Sequence, residues 1–353
     1  MTKLEVKTGR SYMVEIGRDL LPTLGIRLKS IVPNAQRLAV VTDSNVASLY
    51  LKTVSNVLSS EGFEVSSFAF PAGEASKNGE TYLSLLEFLA DQAFTRTDAL
   101  VALGGGVAGD LCGFAAATYL RGVPFVQVPT TLLAAVDSSV GGKTAIDLCA
   151  GKNLAGAFYQ PSFVLCDLDT FQTLPKQVFS DGCAEVIKYG MLGSQPLLSD
   201  LSDGAMERDL EGVVARCVGM KRDIVERDEF EAGDRQLLNF GHTLGHAIEK
   251  CSSYTISHGQ AVAIGMMLIT RSAVKKWLCP PEVIERLSDL LSQFSLPTTT
   301  NFSADALLAA ALGDKKRQGG KITLIVPTAL GQCQRHDVNL EELSSWIEMG
   351  LSR

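Results

Sequence analysis

Ala99-Leu-Val-Ala-Leu-Gly-Gly-Gly-Val-Ala-Gly-Asp110 is the stretch on which the fold turns. Ala99–Leu103 is an unbroken apolar run of strand length, the glycines interrupt it, and Leu111 to Leu120 reads as a helix. A strand entering a helix through glycines is the repeating unit of an open α/β layer, and backbone without Cβ lets N–H groups approach an anion closely. Gly104, Gly106 and Gly109 satisfy the G-x-G-x-x-G spacing, although a tight strand-to-helix turn with no ligand would need the same residues. The usual dinucleotide fingerprint carries an acidic residue about 20 positions downstream. Here the acidic candidate, Asp43, lies upstream, so the order of parts departs from that fingerprint.

Working outward, Arg37–Thr42 and Val65–Phe70 read as strands, and Ser44 to Ser60 and Gly79 to Gln92 as helices. This alternation to about Leu168 predicts an α/β domain with a mainly parallel sheet. Further polar loops follow strand ends: Pro71-Ala-Gly-Glu-Ala-Ser-Lys77, and, past a strand at Phe125 to Val128, Pro129-Thr-Thr-Leu-Leu133 and Asp137-Ser-Ser-Val-Gly-Gly-Lys-Thr144. Ligands of open α/β sheets bind outside the carboxyl ends of the strands, where these loops belong. After Asp169 the apolar residues recur at helical spacing in Gly182 to Leu192, Asp209 to Glu229, Thr243 to Lys250, Gly259 to Trp277 and Pro281 to Gln293, with a short strand at Lys321–Pro327. The expected division is residues 1–178, α/β, and 179–353, mostly helical.

A chain of 353 residues has room for two domains, at about 100–200 residues each. With 32 Lys and Arg against 39 Asp and Glu, the net charge of −7 argues against nucleic acid or an anionic membrane as the main partner. The eight cysteines contain no C-x-x-C pair, which fits a reducing cytoplasm rather than a disulfide framework. The first residues lack the apolar core of a signal peptide, and apolar stretches such as Ala261 to Ile269 fall short of the ~20 residues that span a bilayer. The expectation is a cytoplasmic protein that neither binds nor crosses a membrane.

Of only four histidines, His242, His246 and His258 fall in one short segment. On spacing alone His242 and His246, at i and i+4, are the natural zinc pair, with Glu185 or Glu249 as third ligand. Glu185 and Lys188, three apart on a helix, also have a plainer reading as a surface ion pair of little worth. Lys143, Lys152, Lys188, Lys221, Arg235 and Lys315 or Lys316 all stand near glycine-rich or motif-like segments. Such cations suit a multiply anionic small molecule, Arg in particular through bidentate contacts.

These strings, with Gly113-Phe-Ala-Ala-Ala-Thr-Tyr-Leu-Arg-Gly122, Ala184-Glu-Val-Ile-Lys-Tyr-Gly190 and Leu238-Asn-Phe-Gly-His-Thr243, closely resemble the 3-dehydroquinate synthase family of sugar phosphate cyclases. The resemblance implies a Rossmann-like NAD-binding domain, a mostly α-helical second domain, a homodimer, and NAD with a divalent metal, zinc or cobalt. It implies Glu185, His242 and His258 as metal ligands, which overrules the i, i+4 choice and leaves His246 near the substrate phosphate. For NAD it implies Asp43, Gly73, Glu74, Lys77, Gly106, Val107, Ala108, Gly109, Asp110, Thr130, Thr131, Lys143 and the loop Thr170, Phe171, Gln172 and Thr173. For the substrate it implies Asp137, Lys143, Lys152, Asn153, Lys188, Lys221, Arg235, Asn239, His246 and Lys315 or Lys316, with Arg121 serving the neighbouring subunit.

The implied reaction turns 3-deoxy-D-arabino-heptulosonate 7-phosphate into 3-dehydroquinate and phosphate through transient oxidation at C5, phosphate elimination, re-reduction, ring opening and aldol closure. Gln260 stands where the family usually has Glu, which removes a negative charge beside an implied ligand and predicts a retuned metal environment. The alternatives are another cyclase of the same fold, or a metal-dependent polyol dehydrogenase that would release NADH.

Overall fold

The computed structural model describes residues 1–312 and 320–352, so Lys315 and Lys316 lie outside the described residues. The chain divides into two compact units, one comprising Met1–Leu174 with Lys221–Glu229, the other Pro175–Met220 and the chain from Phe230 onward. The first change of unit falls between Leu174 and Pro175, and the return of Lys221–Glu229 is a feature that one cut after residue 178 does not contain.

The first unit is built on nine strands: β1 (Thr2–Val6), β2 (Tyr12–Gly17), β3 (Arg37–Asp43), β4 (Glu64–Phe70), β5 (Ala99–Gly104), β6 (Phe125–Pro129), β7 (Lys143–Leu148), β8 (Gly151–Phe158) and β9 (Phe163–Asp167). Seven form one sheet in the order β1-β2-β9-β6-β5-β3-β4, while β7 and β8 make a separate antiparallel hairpin. Only β1 runs antiparallel to its neighbour in the large sheet. Alternation along the strands sorts two apolar layers. Leu38, Val40, Val101 and Leu103 pack with Leu24, Leu28, Val54 and Leu58 on one face. Ala39, Val41, Leu100 and Ala102 pack with Leu85, Leu89, Leu111 and Ala115 on the other. A sheet buried on both faces reads as continuous apolar runs, which is why β3 and β5 are legible in the sequence.

In register, Asp43 faces Phe70 across β3 and β4, and Gly104 faces Pro129 across β5 and β6, so the loops that follow leave from one level of the sheet. The helix after β5 runs Gly106–Thr118, earlier than the Leu111 start expected from sequence. Its first turn contains Gly106 and Gly109, because a Cβ at Gly109 would stand 2.6 Å from Gln127 Oε1 and one at Gly106 would stand 3.2 Å from Ser138 Oγ. Those glycines answer to close packing as well as to turning.

The second unit contains the helices Lys176–Gly193, Gln195–Ser202, His242–Cys251, His258–Lys275, Glu282–Gln293, Ala304–Leu312 and Leu343–Leu351. An antiparallel pair, β10 (Lys321–Ala329) and β11 (Gln332–Asn339), accompanies them. Helix His258–Lys275 is buried almost all round, from Ala261 through Thr270, and forms the centre of the unit. It meets helix His242–Cys251 along a seam of Gly241, Gly245 and Gly265. Among the described residues no helix is long and apolar enough to cross a membrane.

Candidate functional site

In the second unit, three helices bring Glu185, His242 and His258 together, with one donor atom from each within 4.8 Å of the others. Glu185 lies at the buried middle of Lys176–Gly193, while the two histidines each open a helix. Glu185 Oε1 stands 3.5 Å from His242 Nε2 and 3.5 Å from His258 Nε2. Donors bonded at about 2.0–2.2 Å to one tetrahedral ion would be separated by a similar distance. The other carboxylate oxygen, Glu185 Oε2, is 2.5 Å from Lys188 Nζ, and both side chains are essentially inaccessible. This is a buried ion pair and not the surface pair that the spacing also allowed.

The remaining ring nitrogens are engaged as metal-ligating histidines usually are. His242 Nδ1 lies 3.1 Å from the Phe240 carbonyl oxygen, which favours an Nδ1–H tautomer and an Nε2 lone pair facing Glu185. His258 Nδ1 lies 3.4 Å from Glu249 Oε2. Burial, then the Lys188 charge, pushes His242 down to about 3. Burial also opposes charge on His258, but the hydrogen bonds and charges of Glu185 and Glu249 outweigh it and raise that imidazole to about 10. Two imidazoles and a carboxylate, converging and oriented from behind, fit a divalent metal of the zinc class.

Backbone packing enforces this convergence. A Cβ at Gly259 would stand 2.3 Å from the Asp181 carbonyl oxygen, so the start of helix His258–Lys275 lies against the turn before Glu185. Ser257 Oγ donates to Asp181 Oδ1 at 2.6 Å, and the Gln260 N–H bonds the same carboxyl group. Asp181 thus caps another segment's helix, satisfying a donor that the first helical turn leaves over. Gln260 sits in that capped turn, where its side chain is part-exposed.

His246 is exposed, its ring centroid 5.5 Å from that of His242 and 6.0 Å from that of His258. A second donor group, His246 with Glu249 and His258, overlaps the first. Arg235 is 1% exposed, which places an obligatory cation inside the unit. Asn239 Nδ2 donates to Glu231 Oε1 at 3.1 Å. Sequence reasoning missed Asp181 and the Phe240 carbonyl, and named Glu249 only as the alternative to Glu185 for the third ligand.

In the first unit, Asp43 Oδ1 accepts the N–H groups of Asn45 and Val46, capping the following helix. A Cβ at Gly104 would come 3.6 Å from Asp43 Oδ2, so the acid stands beside the glycine loop. Gly105 caps helix Gly106–Thr118 with no side-chain bond, so no side chain of its own shields the N–H groups of the first turn. Thr130 Oγ1 is buried with no hydrogen-bond partner among the described residues, and Gly73 has φ +112° with nothing within 4 Å of the place a Cβ would take. An acid, a helix start without a side-chain cap, an orphaned hydroxyl and a glycine turn with room beside it, all at the carboxyl ends of neighbouring strands, fit a dinucleotide.

In the same unit, Lys77 Nζ pairs with Glu74 at 2.8 Å and Asp110 at 3.3 Å, and Lys152 reaches Glu74 at 3.5 Å. Burial pushes the Asp110 carboxyl up to about 6 against the pull of Lys77. Lys221, on the returning segment, donates to the Asp137 carbonyl at 2.6 Å and to its carboxylate at 3.0 Å. Asn153 takes the left-handed conformation, φ 56°, with its N–H on Asp147. Thr131 Oγ1 accepts the Ala134 N–H, and Tyr50 ties down the Thr170–Thr173 loop through Thr173 Oγ1 at 2.6 Å. Lys143, Gln172 and Arg121 are exposed.

The chain matches the family model described as 3-dehydroquinate synthase N-terminal over residues 67–181 and that described as C-terminal over residues 182–317. It is 43% identical over 345 residues to a 3-dehydroquinate synthase of Streptococcus suis, covering 96% of this chain and 97% of that protein. A solved 2-deoxy-scyllo-inosose synthase, complexed with carbaglucose-6-phosphate, NAD+ and Co2+, superposes with a TM-score of 0.88 at 25% identity, over 99% of this chain and 100% of that one. The 2-epi-5-epi-valiolone synthase ValA of Streptomyces hygroscopicus, with NAD+ and Zn2+ bound, gives 0.86 at 25% identity, over 99% of each chain.

Proposed function

Since the chain belongs to the 3-dehydroquinate synthase family, we propose that Glu185, His242 and His258 hold the divalent metal of that reaction. The protein is a carbon–oxygen lyase that converts 3-deoxy-D-arabino-heptulosonate 7-phosphate to 3-dehydroquinate and phosphate, with NAD and zinc or cobalt as cofactors. The observation that carries the ligand assignment is the convergence of three donors from three helices, each oriented from behind. When bound, NAD and the metal supply reversible oxidation at C5 and polarisation of its oxygen.

The chain's own groups do the rest. In the second unit, Lys188 holds Glu185 Oε2 and so turns Oε1 to the two imidazoles. Arg235 offers a fork of donors to the substrate's carboxylate or phosphate, with Asn239 beside Glu231 and His246 on the exposed face of its helix completing that set. In the first unit, the open start of helix Gly106–Thr118 and Thr130 bind the pyrophosphate, Asp43 binds a ribose, and Glu74, Lys77, Thr131 and the Thr170–Thr173 loop complete the cofactor set. Lys143, Lys152, Asn153, and Lys221 held by Asp137, meet the substrate's anionic and hydroxyl groups. Such fixed charges stabilise a departing phosphate without reorganisation at the moment of reaction. Lys315 or Lys316 adds a further cation. The protein works in the cytoplasm as a homodimer in which Arg121 serves the partner.

Phosphate release from the heptulosonate phosphate is expected to require NAD while no NADH accumulates, monitored by coupled phosphate detection and absorbance at the NADH band. Stoichiometric NADH with a simple polyol would reassign the chain to the dehydrogenases, and ring closure only on a sugar phosphate lacking the carboxylate would reassign it to another cyclase. Asp43 separates two roles. Asp43→Asn keeps the helix cap, so its melting temperature should hold while NAD binding weakens. Asp43→Ala should lose about 1 kcal/mol of stability as well. Calorimetry with NAD titration reads both, and unchanged NAD affinity in both variants would remove Asp43 from the cofactor site.

A further inference from the structure

We propose that Glu249 is a positioning residue that fixes the ring of His258 for metal binding, without itself being a ligand. The inference rests on the ligand reading above. His258 lies between two carboxylates, its Nε2 3.5 Å from Glu185 Oε1 and its Nδ1 3.4 Å from Glu249 Oε2. An imidazole offers one nitrogen to a given ion, and the nitrogen on the Glu185 and His242 side is Nε2. The Nδ1–H then donates to Glu249, which selects the tautomer, sets the ring plane and raises the ring's basicity. A carboxylate is a stronger acceptor for this purpose than the carbonyl that His242 uses.

Glu249 is 2% exposed and His258 is 33% exposed at its side chain, so the orienting acid is the rigid partner and the ligand the looser one. Helix His242–Cys251 carries His242 at its start and Glu249 two turns on. One rigid element therefore supplies a ligand and aims the ligand of its neighbour. The overlapping group of His246, Glu249 and His258 is the competing arrangement, in which Glu249 would bind the ion through the same oxygen.

The test is zinc affinity, by competition with a chromophoric chelator, for the metal-stripped wild-type chain and its Glu249→Gln, Glu249→Asp, His258→Ala and Glu185→Ala variants, with thermal melts of every metal-free protein. Glu249→Gln preserves shape and removes charge. It is expected to weaken zinc binding about 10–100-fold, to melt like wild type when metal-free, and to recover most of its kcat at saturating zinc. Glu249→Asp, which restores the charge at a shorter reach, is expected to fall between. Wild-type affinity in Glu249→Gln, with His258→Ala metal-free, overturns the positioning role alone. Loss in Glu249→Gln as complete as in His258→Ala makes Glu249 a ligand and also overturns it. Zinc retained by His258→Ala overturns the ligand reading beneath it.

Discussion

His258→Ala is expected to leave the protein folded, free of metal and without phosphate-releasing activity, whereas His246→Ala is expected to bind zinc like the parent and still lose most of its turnover. The contrast follows from what each ring faces. His258 Nε2 is 3.5 Å from Glu185 Oε1 and belongs to the cluster with His242. His246 is exposed, one turn along from His242, with its ring edge-on to it. Losing one of three protein ligands should weaken binding by more than the ~10–100-fold that an orienting neighbour is worth. It also leaves Glu185 and Lys188, both buried, with an altered balance of charge, so the melt of the metal-free variant is the control that separates lost coordination from lost folding. Metal analysis after gel filtration and phosphate release on both proteins check the pair. The reverse pattern, metal kept by His258→Ala and lost by His246→Ala, would restore the i, i+4 pair as the binding site.

The sequence makes some of this legible and hides the rest for physical reasons. β3 and β5 are buried on both faces, so their apolar runs are continuous and readable at once. β1 and the β7–β8 hairpin alternate or expose their residues, as in Lys143–Leu148 and Gly151–Phe158, and carry no comparable signal. The glycine stretch reads as a loop before a helix at Leu111, because glycine disfavours helix; the helix begins at Gly106, and close approach to Ser138 and Gln127 is why glycines occupy its first turn. Histidine clustering points to the metal, but spacing within one helix cannot weigh His258, which arrives from the next helix. Only the resemblance selects it. Asp181 and the Phe240 carbonyl act through tertiary contacts that no local pattern encodes.

Gly265→Ala is expected to destabilise the second unit and weaken zinc binding with every ligand still in place. A Cβ at Gly265 would stand 2.0 Å from the Gly241 carbonyl oxygen and 2.9 Å from the Gly245 nitrogen. Both are backbone atoms, so no side chain can rotate away, and relief requires helix His258–Lys275 to move off helix His242–Cys251. Overpacking of this kind costs about 1–3 kcal/mol, or roughly 2–4 °C of melting temperature per kcal/mol for a unit of this size. The displacement acts directly on the site, because His242 opens one helix, His258 opens the other, and both meet Glu185 Oε1 at 3.5 Å. Ligand atoms pulled apart by even half an ångström cannot all reach one ion at about 2 Å. Gly219→Ala is the control: it also lies mid-helix, but a Cβ there meets nothing within 4 Å, and it should be neutral or stabilising by about 0.5–1 kcal/mol. Thermal unfolding and zinc titration of the two variants decide the matter. A Gly265→Ala protein that melts and binds zinc as the parent does would mean that the glycine seam does not set the spacing of the two histidines.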